Sequence, residues 1–282
     1  MQIIEVINRM KAYHKGGEDI REETTRDKIL YGNPYQECTG IVTTCWANID
    51  VIKKAHELGA NLIICHEALF WNHGDHTEWL LEQKNATFLE KKALLDQTDI
   101  VVWRDHDYIH SGIPMADGTY TDGIFYGFAK LIGWDHYIVG NVEQPLMYEI
   151  PETTVQAVAQ LMMDKFHLNG AKVLGNPNTK VKRVYIPAHI MGPGDSDVIT
   201  KVDAENIDLL LPLELIDYTV SEYIRDSGLL GKNKAILTVG HFNAEEPGME
   251  YMLNYIPEAV GENIPCHFVQ SGDNYEYYVD HQ

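Results

Sequence analysis

Three apolar, strand-like runs in this chain of 282 residues end directly on side chains that can bind a metal ion. The runs and the pairs that follow them are 62–65 with His66 and Glu67, 100–103 with His106 and His110, and 235–240 with His241 and Glu245. Imidazole nitrogens and carboxylate oxygens are the usual ligands of zinc, iron and manganese in proteins. Three pairs from distant parts of the chain converge if their strands share one sheet. We take that convergence as the central hypothesis for this sequence.

The first of these runs belongs to a strand–helix–strand pattern. Residues 40–44 have the composition of a strand, 48–58 show helical periodicity that stops at Gly59, and 61–65 form the next strand. This spacing is typical of a βαβ unit, whose two strands are parallel. In open α/β sheets, ligands bind beyond the carboxyl ends of the strands. We therefore predict a mixed α/β fold with parallel βαβ units.

The rest of the pattern predicts helices and strands along the whole chain. The predicted helices cover 1–13, 78–95, 123–132, 151–166, 213–225 and 248–260, and the predicted strands cover 99–103, 171–174, 181–186, 208–211, 235–239 and 266–270. Pro151 fits the first turn of its helix, where a proline is well tolerated. Metal-capable residues are scarce in the middle of the chain. We therefore expect a metal-bearing lobe of 1–144 and 231–282, with a second lobe of 145–230 inserted into it.

The excess of acidic residues limits the kinds of partner that the protein can bind. There are 42 Asp and Glu against 22 Lys and Arg, a formal charge of −20, which argues against binding to a nucleic-acid backbone. The four cysteines form neither a CxxC pair nor a disulfide framework. No apolar run is long enough to span a bilayer. We expect a cytoplasmic protein with reduced thiols that acts on a small molecule, with neither a membrane nor a nucleic acid as partner.

Each pair of metal-capable residues also has a plainer interpretation. These interpretations are hydration at the strand end for the first pair, a loop position for the second, and a helix start whose acids favour the helix dipole for the third. Asp105 and Asp107 could orient the imidazoles beside them or be ordinary loop acids. His73 and His76 lie beyond the first pair, where we place them on the substrate side or in solvent. The remaining histidines, His189 among them, lack a partner pattern and are interpreted as structural or surface residues.

The order of these clusters resembles the interacting-factor-three-like (Nif-three-like) family of dinuclear metal-centre proteins, whose members are also known as GTP cyclohydrolase I type 2 homologues. The family has a strand ending in two histidines, a small residue and then an aromatic residue, and here 66–71 reads His-Glu-Ala-Leu-Phe-Trp. It next has a histidine and, four residues on, an aspartate, in the places of His106 and His110. Near the carboxyl end it has Gly-His, then a glutamate four residues after the histidine and a glycine nearby. That last motif is matched at 240–248 by Gly-His-Phe-Asn-Ala-Glu-Glu-Pro-Gly.

The sequence departs from the family at two positions. Glu67 stands where the family usually has a second histidine, and His110 stands where it usually has an aspartate. Asp107 could take the place of His110 as a ligand if that side chain points away. Because the number of ligands is kept, the resemblance implies two divalent metal ions, of zinc, iron or manganese. The ligands that it implies are His66, Glu67, His106, His110, His241 and Glu245. It also implies a two-lobed α/β fold and a ring-shaped homohexamer whose sites face an inner cavity.

The clusters and the resemblance together favour a metal-dependent hydrolase with a dinuclear site, acting on a small or nucleotide-like substrate. No catalytic residue is identified beyond the ligands, although His73 or His76 could donate a proton to the leaving group. The alternative is a non-catalytic metal-binding or interaction scaffold, which the name of the family permits. A third interpretation is a structural metal, or none. Opening of the GTP ring receives little weight, because the chain has no nucleotide-binding loop.

Overall fold

The computed structural model describes residues 1–273 and 275–278. The chain forms two compact units. The first consists of Met1–Gly127 and Glu246–Ser271, and the second consists of Phe128–Glu245 and the described residues after Ser271. The two lobes expected from the sequence, divided at 144/145 and 230/231, stay a prediction about domains.

Helices and strands are numbered in chain order. The α-helices α1 to α11 are Ile3–Tyr13, Ile49–Glu57, Glu78–Glu82, Ala86–Thr98, Asp107–Ser111, Gly123–Ile132, Val155–Phe166, Asp195–Ala204, Val220–Leu229, His241–Tyr251 and Ile256–Val260. The strands β1 to β14 are Ile29–Tyr31, Ile41–Thr44, Leu62–Cys65, Val101–Arg104, Ile113–Pro114, Tyr120–Thr121, Met147–Thr154, Lys172–Leu174, Lys180–Tyr185, His189–Ile190, Leu209–Leu210, Glu214–Leu215, Ala235–Thr238 and Cys266–Phe268. None of the helices within 1–273 and 275–278 combines the length and the apolar character that crossing a membrane requires.

The first unit is built on a five-stranded sheet with the strand order β1–β4–β3–β2–β14. The strands β4, β3, β2 and β14 are parallel neighbours, while β1 runs antiparallel to β4 at the edge. Every residue of β2, β3 and β4 is buried, as is typical of parallel strands that are covered on both faces. Because α2 joins the parallel strands β2 and β3, the predicted βαβ unit is confirmed.

Helix α2 shows how local sequence signals set this arrangement. Asn48 caps the helix, since its side chain accepts a hydrogen bond from the backbone N–H of Val51 at 2.9 Å. The apolar face of α2, which includes Val51 and Ile52, is buried in one hydrophobic core with residues of β2 and β3. Gly59 follows the helix with a φ of +72°, the left-handed conformation that favours glycine at this position. The chain then turns directly into β3.

Helices α6 and α10 approach each other at two glycines. A Cβ atom on Gly248 would lie 2.4 Å from the Cα atom of Ile124, and one on Gly127 would lie 2.5 Å from the Cα atom of Gly248. Carbon atoms in contact are normally about 3.5–4.0 Å apart. The two backbones therefore pack so closely that neither glycine can be replaced without moving a helix.

The second unit is built on another five-stranded sheet, with the strand order β7–β9–β11–β13–β8. The central strands β9, β11 and β13 are parallel, and the edge strands β7 and β8 are antiparallel to their neighbours. A separate parallel pair, β10 and β12, aligns His189 with Glu214. The hydrophobic core cluster of this unit contains Ile190, Val202, Ile207, Leu210, Val220, Ile224 and Ile236.

The three strands that precede the metal-capable pairs do not share one sheet, which was the condition given for their convergence. Strands β3 and β4 are neighbours in the first sheet, but β13 lies in the sheet of the second unit. Its pairing partners are β11 and β8. The sequence pattern of a buried strand is the same in either sheet, so it carries no information about which sheet a strand joins.

The placement of Pro151 in the first turn of a helix is wrong. Strand β7 continues through this proline to Thr154, and the helix begins one residue later, at Val155. The hydroxyl of Thr154 caps the helix, because it accepts a hydrogen bond from the backbone N–H of Ala157 at 3.2 Å. Pro151 lies where β7 has an irregular register with β9, between Glu149 and Thr153. A proline is tolerated at such an irregularity, since no ladder hydrogen bond is lost.

Candidate metal centre

Strands β3 and β4 deliver their following residues to the same edge of the first sheet. They are parallel, and Cys65 at the end of β3 is aligned with Arg104 at the end of β4. His66 follows β3 directly, and His106 lies two residues beyond β4. Strand register alone therefore brings together the first two pairs of metal-capable residues.

The turn after β4 is held in place by the carboxylate of Asp27. Its oxygens accept hydrogen bonds from the backbone N–H groups of His106 at 2.9 Å, Asp107 at 2.9 Å and Tyr108 at 2.8 Å. Backbone bonds to a carboxylate are stronger than neutral ones. They hold the start of α5, a helix of five residues. Since residues four apart share a face of a helix, α5 brings His106 and His110 together.

The three imidazoles of the first unit form one cluster. The ring centroids lie 4.5 Å apart for His66 and His106, 5.0 Å apart for His66 and His110, and 4.9 Å apart for His106 and His110. One ligand atom from each ring lies within 4.8 Å of the other two. This spacing matches nitrogen ligands that surround a single ion.

Hydrogen bonds identify which nitrogen of each ring is available to a metal. The Nδ1 atom of His66 lies 3.0 Å from the carbonyl oxygen of Asp105. The Nδ1 atoms of His106 and His110 bond carboxylate oxygens, of Asp107 at 2.9 Å and of Asp122 at 2.7 Å. Because all three partners are oxygen acceptors, we assign the proton of each neutral ring to Nδ1 and the lone pair to Nε2. A metal-binding histidine almost always has this arrangement, with its other nitrogen held by a carboxylate or a carbonyl group.

Electrostatics keep the central imidazole neutral. His66 is fully buried. That burial, followed by the neighbouring imidazoles of His106 and His110, lowers the pKa of His66 well below its ordinary value of 6.5. A histidine must be neutral to bind a metal ion. The donor set of the first unit therefore suits a divalent ion such as zinc, iron or manganese.

The structure places Asp107 behind the cluster. One carboxylate oxygen bonds the imidazole of His106, and the other accepts hydrogen bonds from the hydroxyl of Thr25 at 2.8 Å and the backbone N–H of Arg26 at 2.9 Å. These bonds commit Asp107 to orienting His106. His110 lies in the cluster with His66 and His106, while Asp107 lies with Asp27 and His106 in another group that could hold an ion. The choice between His110 and Asp107 stays a prediction.

Glu67 contacts a buried arginine. The guanidinium of Arg104 is fully buried, and its Nη2 atom lies 3.4 Å from the Oε2 atom of Glu67. The same group donates to the carbonyl oxygens of His66 and His73, both at 2.9 Å, and lies 3.4 Å from Asp75. Arg104 therefore fixes the loop that carries Glu67.

Arg104 also fixes the tautomer of His73. Its Nη2 atom lies 3.1 Å from the Nδ1 atom of His73. Since an arginine can only donate, this Nδ1 accepts, and the proton of the neutral ring lies on Nε2. The rings of His73 and His106 are 5.6 Å apart. The side chain of His73 thus presents an N–H donor near the cluster.

In the second unit, a turn at Gly240 connects β13 with α10. Gly240 has a φ of +95°, which a glycine adopts without strain. Helix α10 then begins at His241, seven residues before the start predicted from the sequence. His241 and Glu245 are therefore one helical turn apart, and the Nε2 atom of His241 lies 3.0 Å from the Oε2 atom of Glu245. Both atoms are suitably placed to bind the same cation.

The other nitrogen of His241 contacts Glu214. One carboxylate oxygen of Glu214 bonds the Nδ1 atom of His241, and the other bonds the Nδ1 atom of His189. Partial burial would raise the pKa of Glu214, but the hydrogen bonds from His241 and His189 lower it to about 2. Burial would lower the pKa of His241, but the hydrogen bonds to Glu214 and Glu245 raise it to about 10. Without a metal, His241 is therefore an imidazolium ion between two carboxylates at neutral pH.

A cavity of about 490 Å³ adjoins this group in the second unit. Glu214 and His241 lie in its wall, together with Lys172 and the rings of Tyr275 and Tyr277. Small-molecule sites in proteins have volumes of about 300–1,000 Å³. The cavity is therefore large enough for a small ligand.

The predicted site residues fall into two groups. The first unit brings together His66, His106 and His110, and the second unit brings together His241 and Glu245. Glu67 follows His66 and contacts Arg104. The convergence of the two groups in one centre stays a prediction.

Five residues that support these candidate ligands were not predicted from the sequence. They are Asp27, Arg104, Asp122, His189 and Glu214. His189, which has no partner pattern in the sequence, bonds Glu214 across two strands, and its side chain is exposed as expected of a surface residue. The chemistry of a buried imidazole requires an oxygen acceptor for its N–H group, but the sequence does not show which acid supplies it.

The sequence of the chain resembles proteins of one known family. The sequence model of the Duf34/NIF3 (NGG1p interacting factor 3) family matches residues 17–274. A Clostridium perfringens protein named GTP cyclohydrolase 1 type 2 homolog is 23% identical to this chain over 240 residues, which are 84% of each chain.

Two solved structures resemble the whole chain. A hypothetical protein of Staphylococcus aureus has a TM-score of 0.69 and 17% identity, and it covers 99% of both chains. A Bacillus cereus protein related to NIF3 has a TM-score of 0.68 and 14% identity, again over 99% of both chains. At this identity the likeness concerns the fold alone, and it confirms the mixed α/β fold predicted from the sequence.

Proposed function

Because the chain belongs to the Duf34/NIF3 (NGG1p interacting factor 3) family, we propose that it is a metal-dependent hydrolase acting on a small or nucleotide-like molecule. One observation carries the proposal: the Nδ1 atoms of His66, His106 and His110 all bond oxygen acceptors. With the proton of each ring assigned to Nδ1, the Nε2 atoms carry the lone pairs, and one ligand atom from each ring lies within 4.8 Å of the other two. Three histidines with an open fourth position are a ligand set of catalytic zinc sites.

We propose that each chain binds two divalent ions, of zinc, iron or manganese. The three imidazoles supply nitrogen ligands in the first unit, and His241 and Glu245 supply one nitrogen and one oxygen ligand in the second. A mixed set of nitrogen and oxygen ligands suits all three metals. That both groups and Glu67 belong to one dinuclear centre is the prediction that the family resemblance adds.

Divalent ions in a hydrolytic site polarise an oxygen of the substrate and lower the pKa of water. The residues of the chain add orientation and proton handling. His73 is an exposed side chain whose Nδ1 atom is bonded by Arg104, so its Nε2 atom keeps a proton. We assign to His73 the donation of a hydrogen bond or a proton to the leaving group.

The experiment that tests this function combines metal analysis with an activity panel. The protein is stripped with a chelator, reloaded with zinc, manganese or iron(II), and assayed with GTP, phosphate monoesters and phosphate diesters of nucleosides. The test variant is the double replacement of His106 and His110 by alanine. The matched control is His136→Ala, whose side chain is 87% exposed. We expect the double variant to lose metal and turnover together and the control to keep both.

Two outcomes contradict the proposal in different ways. Full metal content in the double variant would show that these histidines do not bind the ion. Stoichiometric metal without turnover of any compound in the panel would favour the alternative, a metal-binding or interaction scaffold. The homohexamer implied by the resemblance is tested separately, by the particle mass from light scattering.

A further inference from the structure

The imidazole of His241 is held from both of its nitrogen atoms. Its Nε2 atom lies 3.0 Å from a carboxylate oxygen of Glu245. Its Nδ1 atom bonds Glu214, which belongs to β12 and not to the helix of His241. Two ligand atoms at about 2.1 Å from one ion are separated by about 3.0 Å at an angle of about 90° and by about 3.4 Å at the tetrahedral angle of zinc. The spacing on the Nε2 side fits both the hydrogen bond of the metal-free ring and two ligands of one ion. The Nδ1 atom faces a carboxylate on a separate element, as in a supporting contact.

Glu214 is itself held by a second imidazole. Strands β10 and β12 are parallel neighbours, and His189 is aligned with Glu214. The Nδ1 atom of His189 bonds the carboxylate oxygen that His241 does not use. The rings of His189 and His241 are 5.4 Å apart. With both oxygens engaged by groups from separate elements, the carboxylate of Glu214 has little freedom to rotate.

We infer that Glu214 and His189 are positioning residues for His241 as a metal ligand. Glu214 keeps the proton of the neutral ring on Nδ1 and directs the lone pair of Nε2 towards the ion, while His189 holds Glu214 in place. A carboxylate in this position orients the ring and makes it a more basic ligand. The inference rests on the proposed function, because it requires His241 to bind the metal.

The chain offers a matched set of variants for this inference. Glu214→Ala removes the supporting contact. Glu214→Gln keeps one oxygen that can accept from His241 but removes the charge. His189→Ala leaves Glu214 bonded to His241 only. The control is Asp217→Ala, because Asp217 lies in the wall of the same cavity and its replacement removes the same charge.

The affinity of each variant for zinc is measured by competition with a chelator, with full-length protein. Loss of an outer carboxylate of this kind weakens metal binding by about 10- to 100-fold, and we expect that range for Glu214→Ala. We expect smaller losses, of about tenfold or less, for Glu214→Gln and His189→Ala. Asp217→Ala should bind zinc as the wild type does.

Thermal unfolding of the metal-free variants separates positioning from folding. Glu214→Gln leaves His241 with one carboxylate partner in place of two, so its metal-free protein should melt at a somewhat lower temperature. Zinc affinity is therefore compared at a temperature where every variant is fully folded, and a loss of affinity there reports positioning and not unfolding. If Glu214→Ala fails to fold, Glu214→Gln and His189→Ala still carry the test.

Three results would overturn the inference. Equal zinc affinity in Glu214→Ala and Asp217→Ala would exclude a positioning role while leaving the proposed function intact. Loss of one whole ion per chain in His189→Ala would mean that His189, Glu214 and His241 bind a metal themselves. A wild-type protein that takes up no metal would remove the proposed function first, and this inference with it.

Discussion

Replacing Gly248 by alanine tests the close approach of α6 and α10. The added Cβ atom would lie 2.4 Å from the Cα atom of Ile124 and 2.9 Å from its carbonyl oxygen. Because both are backbone atoms, one helix must move by about 1 Å to restore contact at about 3.5 Å or more. Overpacking of a core usually costs about 1–3 kcal/mol. Since the added atom meets backbone atoms that cannot rotate away, we take the upper end of this range, about 3 kcal/mol. The gain in helix propensity from glycine to alanine is about 1 kcal/mol, which leaves an expected net loss of about 2 kcal/mol.

The assay is urea unfolding followed by circular dichroism, with thermal unfolding as a second measurement. For a domain of this size, about 2 kcal/mol corresponds to a fall in the melting temperature of roughly 4–8 °C. Gly228→Ala is the matched control. Gly228 lies in helix α9, and a Cβ atom there would meet nothing within 4 Å. We expect the control to gain up to about 1 kcal/mol. A Gly248→Ala variant as stable as the wild type would refute the close packing of these helices.

Three further predictions concern buried charges and the residues behind the ligands. Burial lowers the pKa of Lys91 from 10.5 to about 8, so the unfolded chain binds more protons between these values. The free energy of unfolding of the wild type, relative to that of Lys91→Met, should therefore rise by about 3 kcal/mol from pH 8 to pH 10.5. Urea titrations measure it, and parallel pH profiles of the two unfolding free energies would contradict the prediction. Asp122→Asn removes the charge behind His110, so it should weaken zinc binding by about tenfold without lowering the melting temperature of the metal-free protein. An unchanged zinc affinity would contradict this prediction. Arg104→Lys keeps the charge but loses the planar guanidinium that binds His73. Limited proteolysis should therefore cut the 66–75 loop faster in the variant than in the wild type. Equal cleavage rates in the two proteins would show that the guanidinium is not needed.

The first half of the candidate site could be predicted because it depends on strand register. The apolar runs before His66 and His106 identify two buried strands, and a helix between strands implies that they are parallel. Parallel neighbours end at the same edge of a sheet, so residues that follow them meet. The alignment of Cys65 with Arg104 shows this directly.

The start of α10 could not be predicted from periodicity. Residues 243–249 include buried side chains on all sides of the helix, among them Asn243, Glu245, Glu246 and Met249. A helix buried all round has no amphipathic pattern, and Pro247 further suggests a break. The sequence pattern therefore predicts a loop at these acids and a later start of the helix. In the structure the same residues place His241 and Glu245 one turn apart.

The supporting residues could not be predicted because their partners are distant in the chain. Asp122 lies 12 residues from His110, and Glu214 lies 27 residues from His241. A lone acid in a sequence has no spacing that distinguishes it from a solvated surface residue. Only the tertiary structure shows that these carboxylates are hydrogen-bonded to imidazoles.

An anomalous-scattering map of metal-loaded crystals would show whether the three histidines of the first unit bind a metal ion. We predict a peak at about 2.0–2.1 Å from the Nε2 atoms of His66, His106 and His110, if the ion is zinc. The Nδ1 atoms of these rings should keep their oxygen partners. Peaks that lie only elsewhere, or none near these three rings in protein that contains stoichiometric metal, would contradict it.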